Sequence, residues 1–565
     1  MKTKLLTLLL VIVMIFGIVA GCSTDDKSPA QTTPNKPTTS PTSEPSSPNE
    51  EDQEEDVSTS YPIVSDGSIT LDIWYPLTQE IAPYTNDLAG GENYAWVQAM
   101  EKTGVKIKFI HPASATAREN FQTMIVSGDM PDILNGASGY YTGGVDRAIE
   151  DGVFVLLNPY EPYMPNYMSW VNSTEANTKF AYTDEGNMGY IAQVYDRIQN
   201  PFAGYGIRQD WLDDLNLERP ETIDEWTKVL TEFRDKKTNG HAPLDLYKTG
   251  FNPNTFFCGA YGVQGPGIYG GLGLYIQKDG VVECSVLGEQ FRDYLVQMNR
   301  WFEDGLIDRD FIANGTSFSQ PNMPRLSQNQ SGAVPIMMSY AGEVFARMGT
   351  AEEGAIFSLV RPPKLSKSDP LYIAMKGVGE ANLMNGGAVI TTDCENPEVA
   401  VRFIDWFYGE EGALISNYGI EGVTFNYDEN NRPVHTELLA RNPEGMAPSA
   451  AQQRYLIHNG FVLLMLDRLE DNLDEYGREY IELWADRGIY NIVGNLTYTP
   501  EEGERYSVIL SDMQTYVEEF AVKCIMGELE INDSNWETFL RIMEEMREDE
   551  CRAIIQSAYD RYLNR

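Results

Sequence analysis

Cysteine is scarce in this chain, histidine scarcer, and acids outnumber bases two to one. The 565 residues hold six cysteines and four histidines, with 42 Lys and Arg against 84 Asp and Glu. Five of the cysteines, Cys258, Cys284, Cys394, Cys524 and Cys551, stand far apart, and none forms a CxxC pair. That excludes a disulfide framework and a zinc ribbon, and leaves buried thiols with at most one or two bridges. His111, His241, His435 and His458 are scattered without ligand spacing, so a histidine metal centre is not expected. GxSxG, HExxH and the P-loop are all missing. A glycosidase carboxylate pair is set by geometry rather than spacing, and nothing singles one out among the acids. The net charge of -42 repels nucleic acid and anionic lipid, although a cleft can carry the opposite sign locally. After residue 22 no apolar run reaches membrane length.

The one long apolar run is the first stretch. Lys2 and Lys4 precede Leu5–Gly21, and Val19-Ala20-Gly21-Cys22 puts small residues before a cysteine. This is the form of a secretory signal peptide over 1–21, and its end resembles the lipobox of bacterial lipoproteins. That resemblance implies a diacylglycerol on the Cys22 sulfur and a third chain on its amine, enough for firm anchoring where one chain would be marginal. The expected location is the extracellular face of the cell membrane, with contact to the membrane through the lipid anchor only. Residues 22–60 are an acidic Ser/Thr/Pro tract without apolar spacing, which reads as a disordered tether.

Beyond Tyr61 the pattern changes. Ile69–Tyr75 alternates as a strand, Asn93–Thr103 has helical spacing closed by Gly104, and Val105–Ile110 alternates again. Thr116–Ser127 reads as a helix, and Gly128–Leu134 turns into a third strand. Strand–helix–strand–helix–strand is the rhythm of an α/β sheet. Ligands in such sheets lie beyond the carboxyl ends of strands, which places Trp74, Tyr75 and the loop Asn135–Tyr141 at the rim of a site. Thr222-x-x-Glu225 is a capping box before a helix with Trp226 inward. Trp301 and Trp406 also fall on core-facing helix positions. Val286–Phe302 reads as a helix and Gly332–Met338 as a strand. From Thr499 the pattern is helical nearly to the end, broken at Gly527 and capped again near Ser534.

Five phrases carry a family resemblance. Ser127-Gly128-Asp129-Met130-Pro131-Asp132 is followed by Asp184-Glu185-Gly186-Asn187-Met188-Gly189-Tyr190-Ile191. Ile207-Arg208-Gln209-Asp210-Trp211-Leu212 leads to Pro220-Glu221-Thr222-Ile223-Asp224-Glu225-Trp226. Phe302-Glu303-Asp304-Gly305-Leu306-Ile307-Asp308 comes next, then Pro397-Glu398-Val399-Ala400 through Asn417-Tyr418-Gly419-Ile420-Glu421-Gly422. In this order, behind a lipobox, they resemble the family 1 extracellular solute-binding proteins, the lipoprotein receptors of carbohydrate ABC importers, in their Gram-positive type. The resemblance runs from about Ile69 to the end of the sequence.

It implies a two-lobe periplasmic-binding-protein fold of α/β class, with hinge crossovers and a helical C-terminal layer. Lobe one would use 61–193 and 361–410, and lobe two 194–360 and 411–565. Crossovers would fall near Tyr190–Val194, Leu359–Pro363 and Gly409–Asn417. The implied function is capture of an oligosaccharide between the lobes and delivery to the membrane subunits of an ABC permease, by a monomer without cofactor or catalysis. Flat aromatics beside planar polar groups suit a pyranose ring and its hydroxyls. The candidates are Trp74, Tyr75, Asn135, Tyr140, Arg208, Asp210, Trp211, Asn254, Tyr340, Tyr418 and Glu421. At the end of its strand, Tyr340 stands where related maltose-type receptors carry a stacking aromatic. Structural roles compete: Asp210 can cap a helix that packs Trp211 inward, and Arg208 can serve an internal ion pair. Some relatives carry an EF-hand-like loop after the Asp-Glu-Trp helix. Here position 3 is Lys237 and position 12 is Leu246, so calcium, which needs six or more oxygens, is not expected. Two other functions stay open at this point: a secreted glycoside-active enzyme, and a sensory lipoprotein presenting its ligand to a membrane kinase. A peptide or phospho-ligand receptor is a weaker third.

Overall fold

A computed structural model describes residues 60–77, 93–198, 203–246, 256–264, 274–313, 322–337, 354–370, 381–440, 442–443, 448–457, 460–470 and 496–565. Cys22, the tether up to residue 59, Asn254 and Tyr340 lie outside them. In chain order the strands are β1 (Thr70–Trp74), β2 (Lys106–Ile110), β3 (Ile133–Asn135), β4 (Ile191–Tyr195), β5 (Ala203–Arg208), β6 (Tyr275–Lys278), β7 (Val281–Cys284), β8 (Ala333–Met337), β9 (Phe357–Val360), β10 (Leu383–Ile390), β11 (Phe425–Tyr427), β12 (Pro433–His435) and β13 (Leu463–Leu464).

The first sheet has the order β13-β4-β10-β3-β1-β2. β1 pairs parallel with β2 and β3, β10 lies antiparallel between β3 and β4, and β13 is parallel to β4. The local chemistry that builds it follows the sequence. Asn93 caps the helix Tyr94–Thr103 by accepting from Trp96 N, and Gly104 closes it in the left-handed region at φ 72°. A Cβ on Gly104 would lie 1.8 Å from the Val64 carbonyl oxygen, so only glycine can make that turn.

The second sheet is small, β8-β5-β9, with β5 antiparallel to both neighbours. The capping box at Thr222 and Glu225 forms and starts the helix Ile223–Lys236. Its inward face buries Trp226 against Phe256, Phe257 and Tyr205. Trp301 packs edge-on to Phe257 while its Nε1 donates to Thr227 Oγ1 over 2.8 Å. Three last helices, Pro500–Ile525, Asp533–Glu545 and Glu548–Asn564, join this second core through Met513, Phe520, Phe539, Cys551 and Ile555. The cap of the middle one is Asn532, which accepts from Asn535 N, two residues before the expected Ser534. The helix expected from Val286 begins at Glu289, after a 3-10 turn at Ser285–Leu287.

Among the described residues two large apolar cores result, with a small third cluster at Leu439, Ala451 and Leu456. The first contains β1, β3, β4 and β10 residues together with Trp406 and Phe407; the second surrounds β5. The expected boundary at residue 411 does not hold. Ala413, Ile457 and Phe461–Leu464 belong to the first core, because β13 pairs with β4 and the helix Glu410–Tyr418 lies beside it. Asn417 fixes this arrangement: its Nδ2 donates to Leu463 O over 2.7 Å, and its Oδ1 accepts from Met465 N over 3.0 Å. The chain therefore does not cross between the lobes at Gly409–Asn417.

Asp405 shows how burial competes with a helix terminus. It holds the N-terminus of the helix Pro165–Val171, accepting from Tyr167 N at 2.8 Å and from Asn166 Nδ2 at 2.8 Å. Burial outweighs those donors and raises the carboxyl to about 6. A folded-state value above the ordinary 3.8 favours the protonated form, so this contribution is complete below about pH 4 and lost as pH rises through 6. Asp405→Asn cannot ionise. Between pH 4 and 7 the wild type should lose about 2 kcal/mol relative to that variant, seen as diverging urea midpoints. Parallel pH profiles would overturn the assignment. The constant cost of the altered acceptor does not affect the slope.

Candidate functional site

Because β1, β2, β3, β4 and β13 share one direction, their carboxyl ends form one edge. Tyr75, His111, Asn135, Tyr195 and Met465 mark it. The chain leaves this edge after Tyr195 and joins the second sheet at Ala203. It returns from Val360 to Leu383. The carboxyl edge of the first sheet is therefore the one that carries the connections to the second lobe.

Its residues are held from several sides. Tyr75, half-buried, meets Trp96, Phe109 and His111 edge-on at 6.1, 6.1 and 6.2 Å. His111 Nδ1 lies 2.8 Å from the Tyr75 carbonyl oxygen, and burial lowers its pKa despite that bond. Tyr140 carries the Arg118 guanidinium 5.0 Å above its ring and meets Trp74 edge-on. Asn135 is buried at the end of β3, and its Oδ1 has no hydrogen-bond partner among the described residues. Gly460 lies against it: a Cβ there would stand 2.6 Å from that oxygen.

Three residues that pattern reading passed over tie the edge together. Asp196 N donates to Leu464 O at 2.9 Å, and Asp196 Oδ1 accepts from Leu466 N at 3.1 Å. Arg197 pairs with Asp467 at 2.8 Å. Burial raises the Asp196 carboxyl, with Arg197 opposing. The sequence signal was a strand-like run ending in Asp-Arg, present both at Val194-Tyr195-Asp196-Arg197 and at Met465-Leu466-Asp467-Arg468.

The remaining candidates fall elsewhere. Trp74 is 1% exposed and presents no ring face to a ligand. Tyr418 is enclosed between Phe425 and His435, where burial lowers His435 to about 4. Glu421 is exposed on the turn that follows. Arg208, Asp210 and Trp211 lie at the far end of β5. The crossover enters at Ala203, and Arg208 stands five residues further on, about 17 Å along an extended strand. There Arg208 is fully buried, forking onto Asp210 at 2.8 and 2.6 Å, donating to Asn329 at 2.7 Å and lying 4.3 Å over the Trp211 ring. Trp211 packs on Phe233. Arg208 and Trp211 are thus engaged inside the second lobe, on the structural side of the two roles open to them.

Residues 82–414 match the family of bacterial extracellular solute-binding proteins. The chain belongs to this family. It is 23% identical over 496 residues to the fructooligosaccharide ABC transporter substrate-binding protein FusA of Streptococcus pneumoniae, covering 82% of this chain and 86% of that one. It is 22% identical over 374 residues to the lipoprotein LipO of Bacillus subtilis, covering 64% and 69%. A crystal structure of the alginate-binding protein AlgQ2 without calcium ion superposes with a TM-score of 0.69 at 21% identity, covering 89% of this chain and all of that one. The family is one of binding proteins, and its two-lobe fold is the fold described here.

The loop Asp235–Leu246 does not fit a calcium ion. Asp235 is engaged by Arg234 and Lys237 by Asp214, each at 2.7 Å. Asp245 accepts from Arg325 at 2.8 Å, and Leu246 is fully buried. Asn239 and Gly240 take positive φ in an ordinary turn.

If the Arg208 cluster is structural, Arg208→Ala should cost about 3 kcal/mol of stability, as expected for breaking a buried pair, read from urea unfolding. Any ligand's affinity, measured well below the new midpoint, should be unchanged. A selective loss of affinity at wild-type stability would return Arg208 to the binding site.

Proposed function

We propose that this solute-binding protein captures an oligosaccharide between its lobes and delivers it to the membrane subunits of an ABC importer, without turnover. The observation that carries the reading is the shared carboxyl edge of the first sheet, which borders the crossovers and presents Tyr75, Tyr140 and Asn135. A half-buried tyrosine offers a ring face and a hydroxyl, and an amide offers paired donor and acceptor groups to vicinal hydroxyls. The names of FusA and AlgQ2 support a carbohydrate as the ligand class. Asn254 and Tyr340 stay in the proposed contact set from the sequence. Tyr340 comes three residues after β8, whose end Met337 pairs with Ala203 on the crossover side of the second sheet.

Closure over the ligand would be a hinge motion of the crossover segments. The protein would act as a monomer anchored by the lipid on Cys22, outside the cytoplasm, as the lipobox resemblance and the likeness to LipO both suggest.

The test is a thermal-shift screen of the full chain against neutral and acidic plant and bacterial oligosaccharides, followed by chromatography of each binder. Ligand that binds only the native state must raise Tm. A selective shift with the sugar recovered intact is the expected result, and Tyr75→Ala should then weaken binding about tenfold, near 1.4 kcal/mol. Consumption of the sugar would replace the receptor by an enzyme. No shift with any oligosaccharide would remove the carbohydrate assignment.

A further inference from the structure

The last helix belongs to the second core, yet its end is bonded to the first. Cys551, Ile555 and Tyr559 pack around β5's core. One and two turns further on, two arginines converge on Asp184. Arg561 Nε donates to Asp184 Oδ2 at 3.0 Å, and Arg565 Nη2 to Asp184 Oδ1 at 2.6 Å. Arg561 also forks onto Glu502 at 3.1 and 2.6 Å, the acid of the capping box that starts helix Pro500–Ile525. Arg565 Nη1 donates to the carbonyls of Lys179 and Tyr182, and Lys179 Nζ donates back to Leu563 O at 3.0 Å. The side chains of Asp184 and Arg565 are only 13% and 8% exposed.

The far side of this contact is fixed within the first lobe. Thr183 Oγ1 and Asn187 Nδ2 both donate to Asp146 Oδ1 at 2.8 Å, which pins the turn carrying Asp184. Lys179 lies on the helix Glu175–Ala181, whose Phe180 and Ala181 are in the first core. The same helix reaches the roots of the two crossovers that flank β5 to β9. Asn177 Oδ1 accepts from Asn382 N at 2.7 Å, Asn382 Nδ2 donates to Tyr195 O at 3.1 Å, and Tyr195 N donates to Asn382 O at 3.0 Å. Tyr195 is where one crossover begins, and Asn382 is where the other ends. One short helix thus holds the hinge roots with Asn177 and is held, two residues later, by the second lobe's last helix.

We propose that Arg561 and Arg565 on Asp184 form an ionic strap beside the hinge, which limits how far the crossover segments bend and so positions the lobes for binding from outside the site. The assignment rests on the reading above that the ligand is taken up between the lobes. Apolar cores are packed units that do not stretch, and the two here are separate. Charge-assisted, forked hydrogen bonds are strong and directional, and they can let go as a unit when the lobes turn. The strap acts on the open–closed equilibrium, and a shift in that equilibrium changes apparent affinity without any change in ligand contacts.

The experiment needs no ligand. In the full chain, single cysteines replace the exposed Val126 on helix Ala117–Ser127 and Val296 on helix Glu289–Glu303. The native cysteines among the described residues are buried. Spin labels at the two positions report the interlobe distance. Asp184→Asn should broaden the distribution and shift it from that of the wild type, while Asp184→Glu, which keeps the charge, should stay near it. Superimposable distributions for Asp184→Asn and wild type would overturn the strap. Should Asp184→Asn fail to fold, Arg565→Lys keeps the charge but loses the fork and is read in the same way. A sugar titration of each variant then separates the two proposals. An altered distance with no sugar bound by any variant keeps the strap and removes the carbohydrate.

Discussion

A strand in a parallel ladder cannot turn back beside its neighbour; it must cross over and return in the same direction. With β1, β2, β3 and β4 all obeying that rule, loops such as Asn135–Tyr141 gather at one edge, and the connections from β4 to β5 and from β9 to β10 meet it. The single antiparallel insertion, β10, arrives from the second lobe at Leu383. Were β10 parallel, its connection from β9 would have to enter at the opposite edge. The placement of crossovers, rim residues and hinge roots descends from this polarity.

The two lobes solve their internal electrostatics differently. In the first, buried polar groups serve architecture: Asp405 holds a helix N-terminus, and Asn417 fixes β13. In the second, buried charges are gathered into compact clusters, Arg208 with Asp210 and Asn329, and Arg325 with Asp245 and Asp308. The attraction within such clusters is set against the cost of taking the charges out of water, so they add little net stability although breaking one is costly. The Asp245 carboxyl shows the tension: burial raises it to about 6 even though Arg325 lies beside it.

Local grammar made much of the fold legible. The capping boxes at Thr222 and Thr499, the glycine stop at Gly104 and the inward tryptophans 226 and 301 could all be read from spacing, because each depends on residues within a few positions. What stayed hidden depends on direction and on distant pairing. Arg208-Gln209-Asp210-Trp211 has the same composition whether β5 runs toward the first lobe or away from it. Trp74 and Tyr75 are adjacent aromatics, but a strand sends neighbours to opposite faces, so Trp74 went beneath Tyr140 while Tyr75 stayed at the rim. β13 is two residues long, too short to register as periodicity, yet it decides which lobe owns the segment around it. The tether, Cys22, Asn254 and Tyr340 lie outside the described residues and stand as read from the sequence.

The cysteines noted at the outset for their scarcity have a consequence for a molecule crowded among copies of itself. All five in the described residues are buried, and burial holds the thiols of Cys394 and Cys524 up at about 12. Thiolate is the form that oxidants and other disulfides attack. In the folded chain these sulfurs are therefore poor partners for covalent cross-linking between neighbouring copies.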